Sequence, residues 1–310
     1  MGARIHYPDL LDSIRVTVEN LEKFLSHLEG EAIGGRESLS ITLGNYLRDA
    51  TSKEPNPTII SNLGSVLSTI VRRMRISDTA TISILRKTLS SFIERYVTES
   101  LSGLTKSCTT ALSDATSILL IPPGRLAEEC VRVWASSENA REVYVLSHSM
   151  LQGISRRIGG LRTTPLPISS LSMVEGRVDT VVTEVESIVH NSVAVPPAGS
   201  GAISYAKHVN NATVVGVTLS IAVKITGRPG ETAYLRRIVE VPQAWGEFIS
   251  VGAQDVASLK LFNKLVMGQH VIEGPTHRLS LMAKRIATSV VKDLTTVIQS
   301  AVVVDQSAKG

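Results

Sequence analysis

Apolar residues in the first third of the chain recur every three or four positions, the spacing of amphipathic helices. The first stripe consists of Leu10, Ile14, Val18, Leu21 and Leu25. A second helix is predicted over residues 38–47, a third begins near Thr58, and the apolar positions from Ile82 to Leu112 predict two more. Because no strand pattern precedes residue 116, we predict that this first section is helical.

After residue 116 the pattern changes to short continuous apolar runs that alternate with helical segments. The predicted strands are Ile118–Ile121, Glu142–Leu146, Leu161–Ile168, Thr180–Thr183, Val214–Val217, Leu219–Ile225 and Ala233–Val241. The predicted helices are Leu126–Ala135, Met150–Ile158, Ile203–Val209, Val256–Val266 and His277–Ala301. Such alternation is typical of a parallel sheet with helices on its faces. We therefore predict an α/β protein: a helical N-terminal domain over residues 1–115, then a Rossmann-like, doubly wound, mostly parallel sheet over residues 116–310.

Composition indicates a soluble protein and disfavours several function classes. Of 310 residues, 43% are hydrophobic and 19% are charged, and the net charge is +4. The densest basic cluster, Val71–Arg75, is short, so we interpret it as a solvated helix face and expect no direct nucleic-acid binding. Two cysteines exclude a disulfide framework and a cysteine-based zinc site, and we predict no metal site.

Targeting signals are absent from the segments that usually carry them. The first ten residues, MGARIHYPDL, have no apolar core of the signal-peptide type. The longest apolar run, near Ala212–Val223, is too short to span a bilayer. We expect a cytoplasmic protein that does not bind membranes.

The stretch from Asp179 to Val217 carries most of the candidate chemistry. In a parallel sheet, ligands bind beyond the carboxyl ends of the strands. We expect five positions to gather at that edge: Glu184, Glu186, His190, Asn191 and Gly199. A carboxylate there can act as an acid or base or can bind a sugar hydroxyl. A helix-capping or salt-bridged carboxylate is the slightly favoured interpretation.

Other motifs at the sheet edge are weaker or point away from common cofactors. Gly199-Ser200-Gly201 opens a predicted helix and can offer N–H groups to a phosphate, but tight helix packing explains it equally well. After the first strand the chain has Pro122-Pro123-Gly124-Arg125 in place of G-x-G-x-x-G, and proline supplies no N–H to a pyrophosphate. His148 and His190 lack a third metal ligand, and Cys130 is interpreted as a core residue. No cofactor is predicted.

Several segments resemble the translation initiation factor 2B family in order and spacing. That family comprises the alpha, beta and delta regulatory subunits, methylthioribose-1-phosphate isomerase and ribose-1,5-bisphosphate isomerase. Val181–Ser200 is similar to the family stretch V-x-V-G-A-D-x-I-x-x-N-G-x-V-x-N-K-x-G-T. The match places Glu186 on the isomerases' catalytic Asp, Asn191 on the family's Asn and Gly199-Ser200 on Gly-Thr. Upstream, Glu142–Gly153 resembles the strand that ends in the E-[TS]-R-P-x-x-Q-G loop.

The departures from the family pattern remove chemistry that the isomerases need. Their catalytic Cys falls at Pro122, which is neither a nucleophile nor a proton carrier. The catalytic Asp becomes Glu186, and the Asn-Lys pair becomes Pro196-Pro197. The arginine of the substrate loop is absent near Ser147–Met150, and another is absent before Gly30. These losses together argue against isomerisation.

The resemblance therefore implies a non-catalytic regulatory subunit. It implies contact with initiation factor 2 or paralogous subunits, a role in guanine-nucleotide exchange, and a homodimer formed by the C-terminal domain. A sugar phosphate or nucleotide remains a possible ligand, and the alternative is a sugar-phosphate aldose–ketose isomerase that uses Glu186. The predicted ligand-binding residues are Gly124, Arg125, Ser149, Gln152, Gly153, Glu186, Asn191, Gly199 and Ser200.

Overall fold

The first section of the chain is helical, as predicted. The structure is a computed structural model that describes residues 9–30, 36–53, 56–73, 79–122, 124–147, 157–226, 238–242, 248–252 and 255–308. Its first four helices are α1 (Leu10–Gly30), α2 (Arg36–Lys53), α3 (Pro57–Arg73) and α4 (Thr79–Ala111). The two helices predicted between Ile82 and Leu112 are one 33-residue helix, α4. Its only glycine, Gly103, lets the helix approach Gln269, whose Cβ lies 2.6 Å from where an added Cβ would stand.

The second section is an α/β sheet with the predicted doubly wound order. Its strands are β1 (Ser117–Ile121), β2 (Glu142–Ser147), β3 (Arg157–Ile158), β4 (Leu161–Pro167), β5 (Thr180–Glu184), β6 (Ser187–Val189), β7 (Ser192–Val195), β8 (Thr213–Thr218), β9 (Ile238–Pro242), β10 (Phe248–Gly252), β11 (Asp255–Ser258), β12 (Lys264–Met267) and β13 (His270–Glu273). The helices are α5 (Arg125–Trp134), α6 (Gly199–Val209) and α7 (Thr276–Ala308). Eight strands form one sheet in the order β13-β12-β8-β5-β1-β2-β4-β3. Its six inner strands are parallel, and β3 and β13 are antiparallel edges.

Alternate residues of the sheet belong to two apolar layers. Ile118 and Leu120 of β1 pack in one core with α1–α5. Leu119 and Ile121 pack on the other face with α6 and part of α7. The N-terminal helices thus share an apolar core with one face of the sheet.

A disulfide also joins the two sections. Cys130 of α5 is fully buried, as its interpretation as a core residue requires, and it is bonded to Cys108 of α4 with a Cα–Cα distance of 5.0 Å. The sequence analysis did not predict this disulfide, because a separation of 22 residues does not show that the two cysteines are close in space.

Two secondary-structure predictions are wrong. Leu219–Ile225 is not a strand, because it contains a 3-10 turn at Ser220–Ala222 that packs against α3 and α7. Val256–Val266 is not a helix, because its ends pair with β7 and β8 as strands β11 and β12. A short apolar run has no clear helical or strand period, so its pattern alone does not distinguish a helix from a strand. Pairing with neighbouring strands determines which one forms.

Two other predicted elements fall partly outside the described residues. The predicted helix Met150–Ile158 is described only at Arg157–Ile158, which forms strand β3. The predicted strand Ala233–Val241 is described from Ile238 onward, where β9 pairs with β10. The pair β6–β7, which lies within the candidate stretch, is an antiparallel hairpin.

Helix α7 has a composition that sequence analysis did not single out. Within Thr276–Val304 it is long and apolar enough to span a membrane: an 18-residue window there has a mean hydropathy of 1.3, and 22% of that window is buried. The buried positions recur along one side: Leu279, Ala283, Ala287, Leu294, Ile298 and Val302. This periodicity is that of an amphipathic helix packed against a protein core.

Replacement of Asn62 by alanine is expected to destabilise the contact between α3 and the sheet. The buried Asn62 side chain donates to the carbonyl oxygens of Ile221 (2.8 Å) and Val223 (2.9 Å). The variant leaves both carbonyls without that donor, at a cost of about 2–4 kcal/mol in the free energy of unfolding. Urea denaturation measures it. Ser65→Ala, at an exposed position of the same helix, should change that free energy by less than about 0.5 kcal/mol; equal effects of the two changes would refute the role of Asn62.

Candidate functional site

The topological switch point of the sheet lies between β1 and β5. From β1 the chain runs outward through β2 to β4, and it then returns to place β5 on the other side of β1. In sheets of this kind the crevice beyond the carboxyl ends of those two strands is the usual ligand site. We use "the crevice" for this place, which is lined by Pro122 and Gly124 after β1 and by Glu184 at the end of β5.

The Glu184 side chain occupies the crevice. It is fully buried, and its two carboxyl oxygens accept hydrogen bonds from the backbone N–H of Leu10 (2.7 Å) and of Leu126 (2.9 Å). Leu10 is the first residue of α1 and Leu126 is the second of α5, so neither N–H has a partner within its own helix. One carboxyl group therefore caps two helices and connects them to the sheet.

Gly124 is required next to this carboxyl group. A Cβ on Gly124 would stand 2.4 Å from the Cβ of Glu184 and 2.9 Å from a carboxyl oxygen. The predicted ligand-binding position is therefore in contact with a side chain of the protein itself.

The crevice also perturbs the protonation of Glu184. Burial, with the nearby carboxyl groups of Asp9 and Glu186, raises its pKa to about 8, although the hydrogen bonds from the amides of Leu10 and Leu126 act in the opposite direction.

Arg125, a predicted phosphate ligand, is bonded to two carboxylates at the start of α1, Asp9 just before the helix and Asp12 in its first turn. Its guanidinium donates from Nη2 to Asp9 (2.8 Å) and to Asp12 (2.8 Å), and from Nε to Asp9. Burial alone would raise the pKa of Asp9, but the hydrogen bonds and charge of Arg125, together with the Asp12 amide, lower it. The same carboxylates raise the pKa of Arg125. The guanidinium is half exposed, whereas the two aspartates are almost buried.

A second predicted phosphate position, the start of α6, also binds a carboxylate of the chain. Asp255 of β11 accepts from the backbone N–H of Ser200 (2.8 Å) and from its hydroxyl group. Gly199 lies against the sheet, where an added Cβ would stand 3.1 Å from Val195 and 3.5 Å from Ile121. The helix thus packs closely against the sheet, and the N–H group offered to a phosphate in the sequence-based prediction is bonded to a carboxylate of the chain.

Glu186 lies in the link between β5 and β6, beyond the strand that carries Glu184. Its side chain is buried, and its backbone carbonyl accepts from the Asn56 side chain (2.6 Å). Next to it, Thr58 and Ser187 share a hydrogen bond between their hydroxyl groups (2.5 Å). The start of α3 thus covers the position that the family resemblance matches to a catalytic Asp.

Of the remaining predicted site residues, two lie in the turn between β6 and β7, and three fall outside the described residues. Asn191 is exposed at the β6–β7 turn, and its carbonyl accepts from Leu259 (2.8 Å). His190, in the same turn, has a backbone φ of 53°. Ser149, Gln152 and Gly153 lie outside the described residues.

Sequence reasoning missed the residues that close the sheet edge from the helical side. They are Asp9, Asp12, Asn56, Asn62 and Tyr96, and the hydroxyl of Tyr96 is 2.7 Å from that of Ser220. The sequence Asn56-Pro57 carries a helix-start signal, since asparagine is a frequent N-cap and proline a frequent first residue. Nothing local shows that the amide of Asn56 reaches residue 186.

Beside Tyr96 and Ser220 lies a cavity of about 600 Å³ between α4, α7 and the β12–β13 turn. Its polar lining includes Arg95, Glu99 and Asp293. Among the described residues no group of three or more His, Cys, Asp or Glu side chains is arranged to hold a metal ion.

Comparison with solved structures places the fold among initiation-factor 2B subunits and related isomerases. Translation initiation factor eIF-2B of Pyrococcus horikoshii OT3 superposes with a TM-score of 0.51 at 14% identity, covering 84% of this chain and 98% of that one. The beta subunit from Chaetomium thermophilum gives 0.53 at 12% identity, covering 92% and 93%. 5-Methylthioribose 1-phosphate isomerase from Pyrococcus horikoshii OT3 gives 0.50 at 13% identity, covering 86% and 87%. No family model matches the chain, and no curated protein matches its sequence.

Replacement of Arg125 by alanine should destabilise the protein by about 2 kcal/mol, because it leaves the nearly buried Asp9 without its cation and Asp12 with the longer ion pair to Arg15 (3.6 Å). Urea denaturation at neutral pH measures the loss. The folded-state pKa of Asp9 lies below 3.8, so its stabilising contribution is present above that value and is lost as the pH falls through the lowered pKa. The difference between variant and wild type should therefore shrink at acid pH.

The control for this change is Arg132→Ala on the same helix. Arg132 pairs with Glu129 one turn away, and both side chains are exposed. Exposed pairs of this kind contribute at most about 1 kcal/mol. If the two substitutions cost the same, the contact of Arg125 with α1 does not stabilise the fold.

Proposed function

We propose that this protein is a non-catalytic subunit of the initiation-factor 2B type, which acts by binding other proteins. Its partners are initiation factor 2 or paralogous subunits, its setting is the cytoplasm, and its role is regulation of guanine-nucleotide exchange. The shared fold supports the class. The crevice supports protein binding rather than catalysis on a small substrate, because side chains and backbone groups of the chain itself fill it.

Occupation of the crevice is the observation that carries this proposal. A sugar phosphate in the usual place would have to displace the Glu184 side chain together with the N–H groups of Leu10 and Leu126 that it binds. Every group involved is buried. Displacement would leave donors and acceptors unpaired, at a cost of about 1–3 kcal/mol for each.

The groups expected to bind a phosphate are also already paired with anions. Arg125 binds Asp9 and Asp12, and the start of α6 binds Asp255. A phosphate ligand would compete with carboxylates that are attached to the same chain and therefore have a high local concentration. This competition further disfavours a metabolite in the crevice.

Catalytic chemistry lacks a nucleophile at the matching place. Pro122, at the position of the isomerases' cysteine, is buried and has no group that ionises. Glu186, at the position of the catalytic Asp, is buried beneath the start of α3. An aldose–ketose isomerase would need both groups to reach a substrate.

The exposed side of α7 supports protein binding by the C-terminal section. The large apolar side chains exposed there are Leu281, Val297, Val303 and Val304. Exposed apolar side chains concentrated on one element often mark a protein interface. A structurally similar pair of subunits, the beta and delta subunits from Chaetomium thermophilum, assembles as a tetramer.

Sugar phosphates and nucleotides should not stabilise the wild-type protein. A ligand at one hundred times its dissociation constant adds about 2.7 kcal/mol to the free energy of unfolding, which raises the melting temperature measurably. Thermal-shift measurements with methylthioribose 1-phosphate, ribose 1,5-bisphosphate, AMP and GDP at millimolar concentration test this. A rise with a sugar phosphate that Glu186→Gln removes would favour the isomerase instead.

Two substitutions on α7 should convert a dimer into a monomer. The wild-type protein is expected to have twice the monomer mass by light scattering after size-exclusion chromatography. Leu281→Glu combined with Val304→Glu places two charges on the proposed interface and should yield the monomer mass. Ile41→Glu, at an exposed apolar residue of α2, is the matched control and should remain dimeric. A wild-type protein that is monomeric at micromolar concentration would refute the dimer.

A further inference from the structure

The cavity beside Tyr96 lies at the same edge of the sheet as the closed crevice. Ser220 follows the carboxyl end of β8, and Met267 is the last residue of the neighbouring parallel strand β12. Both residues line the cavity, and residues of α4 and α7 complete its lining. Ligands of α/β proteins bind beyond the carboxyl ends of parallel strands. The volume of about 600 Å³ is that of a pocket for a small organic molecule.

The inner wall of this cavity is apolar. Phe92 and Met267 are buried, and Ile286 and Val290 of α7 are half-buried. The rings of Phe92 and Tyr96 are nearly parallel, with 4° between their planes and 6.5 Å between their centroids. The hydroxyl group of Tyr96 is bonded within the protein, so its ring is the part that remains for a ligand. Such a wall suits a planar, apolar body.

The exposed side of the cavity, its mouth, is lined by charged side chains: Arg95, Glu99 and Asp293. The Nε of Arg95 is 3.8 Å from the carboxylate of Glu99, and its guanidinium lies over the Phe92 ring, 5.6 Å from the centroid. In the part of the chain that the structure describes, no cation pairs with Asp293. With the lining histidine, His270, counted as neutral, Asp293 leaves the mouth negative. A negative mouth attracts cations and repels phosphates and carboxylates.

We propose that this cavity binds an amphipathic organic amine, a planar apolar body with one positively charged group. The body lies against Phe92, Tyr96 and Met267, and the ammonium group faces Asp293 at the mouth. The bound amine contacts α4 of the helical section and the strand ends of the sheet, and so connects the two sections at a second place. This site does not depend on the proposed partner binding, and its ligand differs in class from the phosphates that the family resemblance implies.

Three indoles with different charges test the site on the full chain: tryptamine is cationic, tryptophol neutral and indole-3-propionate anionic. Their affinities are measured by NMR titration of protein labelled at its methionine methyl groups. The Met267 methyl group should shift with tryptamine, at a dissociation constant of about 1 mM or below. The methyl group of Met173, exposed in the turn after β4 and outside the cavity, should not shift. Tryptophol should bind about two- to fivefold more weakly than tryptamine, and the anion more weakly still.

Three variants separate the mouth from the wall. Asp293→Asn should weaken tryptamine binding by about two- to fivefold and leave tryptophol binding unchanged. Glu94→Gln, at an exposed carboxylate of α4 outside the cavity, is the matched control and should change neither. Val290→Trp places an indole ring inside the cavity and should abolish the Met267 shift. If that variant does not fold, the Met267 shift in the wild type still decides the question.

A repeat of the titration excludes blockage of the mouth by a partner subunit. Val297 lines the cavity and is also exposed on α7, so a dimer formed there could cover it. The titration is therefore repeated on Leu281→Glu combined with Val304→Glu. Absence of a Met267 shift in both proteins would overturn the proposal. So would equal affinity for tryptamine and indole-3-propionate, or tryptamine binding that Asp293→Asn leaves unchanged.

Discussion

The cost of burying the Glu184 carboxyl group is the constraint on which the arrangement of the two sections depends. A buried carboxyl group needs hydrogen-bond donors, and two helix starts provide N–H groups that lack partners inside their own helices. Leu10 and Leu126 supply them. The carboxyl group and the two N–H groups thus satisfy one another's hydrogen bonds. These bonds hold α1, α5 and β5 in one relative position. Gly124 permits the approach because it has no side chain.

Other groups of the helical section also bind polar groups along the carboxyl edge of the sheet. Backbone groups at this edge have no strand partner beyond the strand ends, and ligands often bind there for that reason. In this chain Asn56 and Asn62 of the helical section bind those carbonyl groups, and Tyr96 binds Ser220. A fold that can hold a metabolite is here stabilised by contacts between its own parts. This closure is why the proposed function places partner binding on the surface of α7.

Sequence reasoning succeeded where a pattern is local. Continuous apolar runs predicted the strands at Ile118–Ile121 and Thr180–Thr183, and helical spacing predicted α1 and α7. It failed at Val256–Val266, where pairing with β7 and β8 overrides a run that has no clear period. The alternation of strands and helices predicted a doubly wound, mostly parallel sheet, but the strand order and the switch point came only from the structure.

The site was predicted less well because its contacts are distant in sequence. Glu184 and Leu10 are 174 positions apart, and Asn56 and Glu186 are 130 apart. The positions of Glu184 and Glu186 directly after a predicted strand marked both as candidates. Strand β5 ends at Glu184, so it is the Glu184 side chain that enters the crevice. The family resemblance had instead pointed to Glu186. The aspartates that pair with Arg125 carry no local signal, since acidic residues near a helix start are common.

The most direct measurement is the exchange rate of one amide, the N–H of Leu10, by NMR at mildly acidic pH. As the first N–H of a helix it has no acceptor within α1 and would exchange at nearly the free rate if α1 were not docked. If Glu184 accepts it inside a closed crevice, exchange should be slowed by about a hundredfold or more. Exchange at the unprotected rate would show that the crevice is open, and would contradict the central claim that the chain closes its own ligand site.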